Sequence, residues 1–151
     1  MNSDLEDKVV LVTGGAGGIG STISKSFAEQ GARVIVHYNH SKDNAEKIST
    51  EISGFAVNAD LTDSEQTKNL FEKIIEREGK IDICIANAGK YPKDYAPLWE
   101  IESDRWNDTI STNLSLTYNT SRYFLKHASK TKKGALVLIG STAGIYGEAG
   151  H

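Results

Sequence analysis

The 151-residue sequence predicts a doubly wound α/β domain, a parallel sheet held between layers of helices. Three observations carry the prediction. Short apolar runs alternate with longer amphipathic stretches. The strands are apolar at consecutive positions, so both faces are expected to be covered. A glycine-rich turn stands between the first strand and the first helix. Parallel strands separated by helices are joined by right-handed crossovers.

Element by element, Lys8 to Val12 is a β-branched run that enters the turn at Thr13-Gly14. From Gly18 to Gln30, Ile19, Ile23 and Phe27 recur at i, i+4 and i+8, which is one helix face. Gly31 is placed as its stop. Arg33 to Tyr38 is the second strand, Lys42 to Ile52 the second helix, and Phe55 to Asn58 a short third strand. Thr62-Asp63-Ser64-Glu65 fits a capping box, and Leu70, Phe71, Ile74 and Ile75 give the following helix its apolar face. Ile81 to Ala86 is the fourth strand. Ser103 caps a helix carrying Trp106 and Ile110, which runs on or breaks into another reaching Lys130. Ala135 to Ile139 is the fifth strand, and its consecutive apolar positions call for cover on both faces and a further strand beside it.

Composition narrows the functional classes. Apolar residues make up 38% and charged ones 25%, ordinary for a soluble globular chain. A formal net charge of −3 offers no basic footprint for nucleic acid. No apolar run approaches the ~20 residues of a membrane helix, and the polar segment from Met1 to Lys8 lacks the apolar core of a signal peptide. Cys84 is the single cysteine, which fits a reducing, cytoplasmic setting. Mid-strand, it reads as a small buried hydrophobe. His37 packs in or beside its strand and His127 lies on a helix. Neither has partners at metal-ligand spacing, so no metal site is expected.

The chemistry concentrates in Thr13-Gly14-Gly15-Ala16-Gly17-Gly18-Ile19-Gly20. Glycines let backbone approach a diphosphate without Cβ clashes, and the new helix points free N–H groups and its positive end at the phosphates. Three registers fit. Gly15, Gly17 and Gly20 match G-x-G-x-x-G; Gly14, Gly18 and Gly20 after Thr13 match T-G-x-x-x-G-x-G; Gly14, Gly17 and Gly20 match T-G-x-x-G-x-x-G. The turn alone says dinucleotide and little more.

A second motif narrows the choice. The fourth strand ends in Asn87-Ala88-Gly89, and with the T-G-x-x-x-G-x-G turn this strongly resembles the classical short-chain dehydrogenase/reductase family, in particular its 3-oxoacyl-acyl-carrier-protein reductase-like members. Asp60-Leu61 after the third strand resembles the family's adenine-contacting pair, Asn113-Leu114 its helix asparagine, and Gly140-Ser141-Thr142-Ala143-Gly144 its catalytic-serine segment. The resemblance covers essentially the whole chain. It implies a Rossmann-type, NAD(P)-binding domain over residues 1–151 and hydride transfer between nicotinamide and a small-molecule carbonyl or alcohol. Ser141 would bind and orient the substrate oxygen. Asn113 would hold a water or helix kink that relays protons. Gly14, Gly15, Gly17, Gly18, Ile19, Gly20, Asp60, Leu61, Asn87, Ala88 and Gly89 would line the cofactor cleft. The resemblance also implies a homo-oligomer for the full-length protein, associating through the helix of Asn113 and Tyr118.

One departure stands out. Counting from Ser141, the family's Y-x-x-x-K motif falls just past His151. Tyr146 comes too soon, and Gly150 stands where the lysine belongs. The chain is therefore expected to be incomplete at its C-terminus and, as written, to bind cofactor better than it turns over. Cofactor preference is read at the end of the second strand, where NAD-binding domains place an acid against the ribose 2′-hydroxyl. Tyr38, Asn39, His40 and Ser41 stand there instead, which favours NADP over NAD, although the turn lacks the basic residue many NADP-using relatives carry. Residues Tyr91 to Trp99, with two prolines and several aromatics, are expected to form one lip of the substrate pocket.

Two rival functions remain open. An extended-type nucleotide-sugar epimerase or dehydratase is supported by the T-G-x-x-G-x-x-G register and by Ile145-Tyr146-Gly147-Glu148. Asn87-Ala88-Gly89 and the missing acid after the second strand weigh against it. A non-catalytic dinucleotide-binding module is the other. A methyltransferase is weaker, since Asn87-Ala88-Gly89 has no role there.

Overall fold

Apolar residues at consecutive strand positions build the centre of the molecule. In the computed structural model, which describes residues 4–148, five strands form one parallel sheet: β1 (Val9–Val12), β2 (Arg33–Tyr38), β3 (Phe55–Asn58), β4 (Ile83–Ala86) and β5 (Ala135–Leu138). Their order is β3-β2-β1-β4-β5. The helices are α1 (Gly18–Glu29), α2 (Lys42–Glu51), α3 (Ser64–Glu78), α4 (Ser103–Ile110), α5 (Leu116–Thr131) and a single turn, α6 (Ala143–Tyr146). A π segment, Ser111–Ser115, joins α4 to α5 without a break in the rod. Expectations resting on Met1, Gly150 and His151 lie outside the described residues.

Side chains of a strand alternate between its faces, and β1 divides the core accordingly. Val9 and Leu11 join Ile35, Val57, Phe71, Ile74 and Phe124 on the α3/α5 side. Val10 and Val12 join Val34, Val36, Ala45 and Ile48 on the α1/α2 side. Cys84 lies in the first of these clusters, fully buried, and burial pushes its thiol up to about 12. It packs as a hydrophobe.

Three local expectations shift. The capping box moves by one residue: Asp63 caps α3, accepting the amides of Glu65 and Gln66, and the Gln66 side chain reaches back to its carboxylate. Thr62 instead bonds the carboxylate of Asp60. Ser103 begins α4, and Glu102 takes the cap position without a side-chain bond. β4 begins at Ile83, although the Asp82 backbone still bonds both neighbouring strands, its N–H to the Val9 carbonyl and its carbonyl to the Ala135 N–H (2.9 Å each). The Ile81 N–H goes to His127 Nε2 at 3.2 Å, and the Asp82 carboxylate takes the Val9 N–H at 2.9 Å.

β5 forms an uncovered edge of the sheet. It pairs with β4 alone, and Ala135, Val137, Leu138 and Ile139 are exposed, with only Leu136 packed on the core. Among the described residues nothing covers its second face.

β1 turns this sheet into a site. Its neighbours β2 and β4 lead away in opposite directions, so the loops leaving the carboxyl ends of β1 and β4 part and leave a crevice, the place where open α/β sheets take ligands. Leu11, at the middle of β1 with no exposed surface, tests the central packing. Leu11→Ala is expected to cost ~2–5 kcal/mol in urea unfolding; a loss below ~1 kcal/mol would mean the two layers do not close on β1 as described.

Candidate functional site

The site starts from one hydroxyl. Thr13, the first residue after β1, is completely buried. Its Oγ1 donates to the Ile85 carbonyl (3.3 Å) and accepts the amides of Asn87 and Ala88 (3.0 Å each). The Asn87 side-chain amide returns the link, donating to the carbonyls of Thr13 (3.0 Å) and Gly14 (3.4 Å). The glycine turn and the Asn87-Ala88-Gly89 segment are therefore one bonded unit.

Close approach explains the glycines at two points. Gly14 has φ +61°, the left-handed region, and a Cβ there would lie 3.0 Å from the Ala88 Cα. At Gly20 a Cβ would fall 2.1 Å from the Gly14 carbonyl oxygen. The first turn of α1 thus rests directly on the Gly14 peptide, a contact shared by the T-G-x-x-x-G-x-G and T-G-x-x-G-x-x-G registers. Among the described residues, the amides of Gly18, Ile19 and Gly20 open the helix with no acceptor behind them, as the first turn of a helix must. They are the donors for an anion.

Around them lies a cleft of about 860 Å³, within the size range of small-molecule sites. Gly14, Gly17, Gly18, Ile19 and Gly20 border it, as do Tyr38, Asn39, His40, Ser41, Asp60, Leu61, Asn87, Ala88 and Gly89. Gly15 does not: its N–H bonds the His37 carbonyl (2.9 Å), and its Cα faces Val12, Val36 and Ser24. Neither Asn113 nor Ser141 borders the cleft. The Asn113 side chain instead grips the peptide after Gly89, taking the Lys90 N–H (3.0 Å) and donating to the Lys90 carbonyl (2.9 Å) and to Thr109 in its own helix (3.0 Å). Both of its amide hydrogens are engaged. Asn113 stands at the middle of the π segment. Ser141 is exposed and accepts the Ala143 amide at 3.2 Å. The Tyr91–Trp99 stretch lies off the cleft, whose border on that side ends at Lys90, ion-paired to Asp108 at 2.6 Å.

Four side chains that hold the cleft were not read as site residues from the sequence. Asn58 donates to the carbonyls of Tyr38 (3.2 Å) and Asn39 (2.6 Å), and Asn44 donates to Ala16. Buried Asn119 donates to the carbonyls of Leu61 (2.9 Å) and Thr62 (3.3 Å). His37, also buried, meets the Gly14 amide and the Ala59 carbonyl. An asparagine or histidine beside a strand end carries no spacing signal; only the tertiary pairing gives it a role.

The donor set suits a dinucleotide. Unpaired amides and a helix N-terminus face the middle of the cleft, while hydroxyl, amide and imidazole groups line the end near Ser41. No carboxylate occupies the end of β2. Among the described residues, no group of three or more His, Cys, Asp or Glu side chains is placed to hold a metal ion.

Comparison with known proteins agrees with this geometry. A family profile described as short chain dehydrogenase matches residues 8–151. The 3-oxoacyl-acyl-carrier-protein reductase FabG of Thermotoga maritima is 34% identical over 97% of this chain and 61% of its own length. The enzyme of the same name from Staphylococcus epidermidis is 32% identical over 96% and 61%. An uncharacterised oxidoreductase of Schizosaccharomyces pombe is 36% identical over 93% of this chain and 52% of its own length. The chain spans about three fifths of the length of these bacterial relatives.

Burial makes His37 a pH probe of the site. It pushes the imidazole from 6.5 down to about 4, against the raising effects of the Ala59 hydrogen bond and the Asp60 charge. The unfolded chain takes up a proton as pH falls through 6.5, whereas the folded chain refuses it until about 4. Stability from this group is therefore complete above pH 6.5 and lost on acidification. At ~1.4 kcal/mol per pH unit, the loss between about pH 7.5 and 5 is ~2 kcal/mol. Urea unfolding at the two pH values should show at least that loss, and it should shrink by about that amount in His37→Gln, leaving what the depressed His127 contributes; equal slopes in both proteins would contradict the assignment.

Proposed function

Because the chain belongs to the short-chain dehydrogenase family, we propose that the cleft between the carboxyl ends of β1 and β4 holds a nicotinamide dinucleotide for hydride transfer to or from a carbonyl or alcohol carbon. The observation that carries the reading is the bonded unit of Thr13, Gly14, Asn87 and Ala88, which sets the open amides of Gly18, Ile19 and Gly20 beside the crevice. Those amides take the diphosphate. Asp60 and Leu61 lie along the adenine side. Tyr38, Asn39, His40 and Ser41 meet the adenosine ribose, where hydroxyl, amide and imidazole groups accept a 2′-phosphate that a carboxylate would repel. NADP is the preferred cofactor and NAD the alternative. When bound, the nicotinamide supplies or takes the hydride.

The chain's own residues then divide the work. Ser141 binds and orients the substrate oxygen. Asn113 fixes the peptide that follows Gly89 and, through it, the wall of the cleft. The names of the bacterial relatives make a 3-oxoacyl thioester the first carbonyl substrate to test. Leu114, Tyr118 and Leu125 leave an exposed apolar stripe along the Asn113 segment and α5, which supports association of two copies there. The small-molecule chemistry and the absence of any helix long and apolar enough to cross a membrane among the described residues support a cytoplasmic setting.

Gly18 offers a clean test. Nothing lies within 4 Å of a Cβ built on it, and an acid in the first turn suits the helix dipole, so Gly18→Asp should fold normally. It nevertheless sets a carboxylate where the diphosphate belongs. Fluorescence titration should give saturable NADPH binding to the protein, tighter than NADH, and at least ~10-fold weaker binding to Gly18→Asp, a difference of ~1.4 kcal/mol. Equal binding by a folded Gly18→Asp would place the phosphates elsewhere.

A further inference from the structure

We propose that His37 is a positioning residue of the cofactor cleft, holding the Gly14 peptide in the orientation that the phosphate-facing amides require, and doing so as the neutral Nε2–H tautomer. The inference rests on the dinucleotide reading of the cleft. Nothing in the glycine, Asn-Ala-Gly or serine motifs points to this imidazole.

The tautomer follows from the partners. Nε2 lies 3.0 Å from the Ala59 carbonyl oxygen, which can only accept, so Nε2 carries the hydrogen. Nδ1 lies 3.1 Å from the Gly14 amide, which can only donate, so Nδ1 presents its lone pair. The His37 carbonyl takes the next amide of the turn, Gly15, at 2.9 Å. One residue of β2 therefore fastens the turn after β1 to the end of β3, one position before Asp60. The ring is buried. Its charged neighbour is Asp60, whose carboxylate is engaged by Thr62. The turn after β1 presents backbone groups to it, β3 the apolar Val57, and the residue after β3 the apolar Ala59.

Gly14 is where this bond matters most. Its carbonyl accepts the Gly17 amide at 3.0 Å and sits against Gly20, with no room for a Cβ between them. A rotation of the peptide on the N–H side of Gly14 is passed to that carbonyl, and from there to the first turn of α1. With His37 unable to accept, a half-buried N–H is left without a partner within the protein, and the peptide turns to find one. The amides of Gly18 to Gly20 then lose their common aim.

Two substitutions separate positioning from bulk stability. His37→Asn keeps a side-chain oxygen near the place of Nδ1 and can still accept from Gly14. His37→Gln carries its amide near the place of Nε2, can still donate to Ala59 and offers Gly14 nothing. Each loses one of two hydrogen bonds, so both should melt at similarly lowered temperatures. NADPH titration of the purified proteins should show affinity within about threefold of wild type for His37→Asn and a loss of about tenfold or more for His37→Gln. Equal weakening by the two, no weakening by either, or the reverse order would overturn the proposal. Absence of NADPH binding by the wild-type protein would instead sink the dinucleotide reading, and this inference with it. Long-range ¹H–¹⁵N correlation spectra of the cofactor-free protein give a second readout that does not depend on the variants folding. They should show His37 protonated at Nε2 and bare at Nδ1 at neutral pH; the opposite tautomer or an imidazolium would refute the assignment.

Discussion

Thr13 has no exposed surface, and its hydroxyl is shared among three backbone groups of the β4 end. A parallel sheet ends in orphan amides and carbonyls where its strands stop pairing, and a crevice opened at that edge would expose them or leave them unsatisfied. Thr13 solves the problem for β1 and β4 together. It satisfies the amides of Asn87 and Ala88 from within the protein, and Asn87 answers by satisfying the carbonyls of Thr13 and Gly14. The crevice can then stay open to a ligand while its floor is closed to water. Gly14, Gly20 and the start of α1 are stacked on that floor, and their close contacts make sense only if it does not move.

The same device recurs around the rim. Asn58 holds the carbonyls that end β2, Asn119 those that follow β3, Asn113 the peptide after Gly89, and His37 the amide of Gly14. Each is a short, rigid side chain that bonds backbone across two elements. The loops that carry the specificity of an α/β fold are thereby fixed without being packed by apolar side chains, which would fill the cleft. The cost falls on folding at low pH, because one of the four clamps is an imidazole that must stay neutral.

Much of this was legible in the sequence. Strand positions followed from consecutive apolar residues, and the β2 and β3 bounds match the residues expected, since Arg33 and Asn58 mark sharp changes of polarity at their ends. The glycine turn, Asp60-Leu61 and Asn87-Ala88-Gly89 converge on one cleft because all three stand at strand carboxyl ends, which chain order alone predicts. What was not legible depends on pairing across the chain. Gly15 was read as a cleft residue, yet its Cα faces the strand; with four other glycines beside it, spacing could not say which ones turn inward. Asp63, not Thr62, caps α3, because the Asp60 carboxylate claims Thr62 first. β5, by contrast, was legible: its apolar run calls for cover that no described residue supplies, and it lies exposed at the sheet edge. Asn113 and Ser141 carried the catalytic expectation, and neither borders the cleft: Asn113 is turned to the Lys90 backbone and Ser141 to the short turn that follows it.

The most direct test of this account compares Thr13→Ser with Thr13→Val by NADPH titration, with thermal melting of each alongside. Serine keeps the hydroxyl that accepts the Asn87 and Ala88 amides, whereas valine keeps the shape and removes it. The account predicts near wild-type affinity for Thr13→Ser and a loss of at least ~10-fold for Thr13→Val, as expected when the Ala88 amide loses its acceptor and the Asn87 amide keeps only the Ile85 carbonyl. A folded Thr13→Val protein that binds NADPH as tightly as the wild type would contradict it.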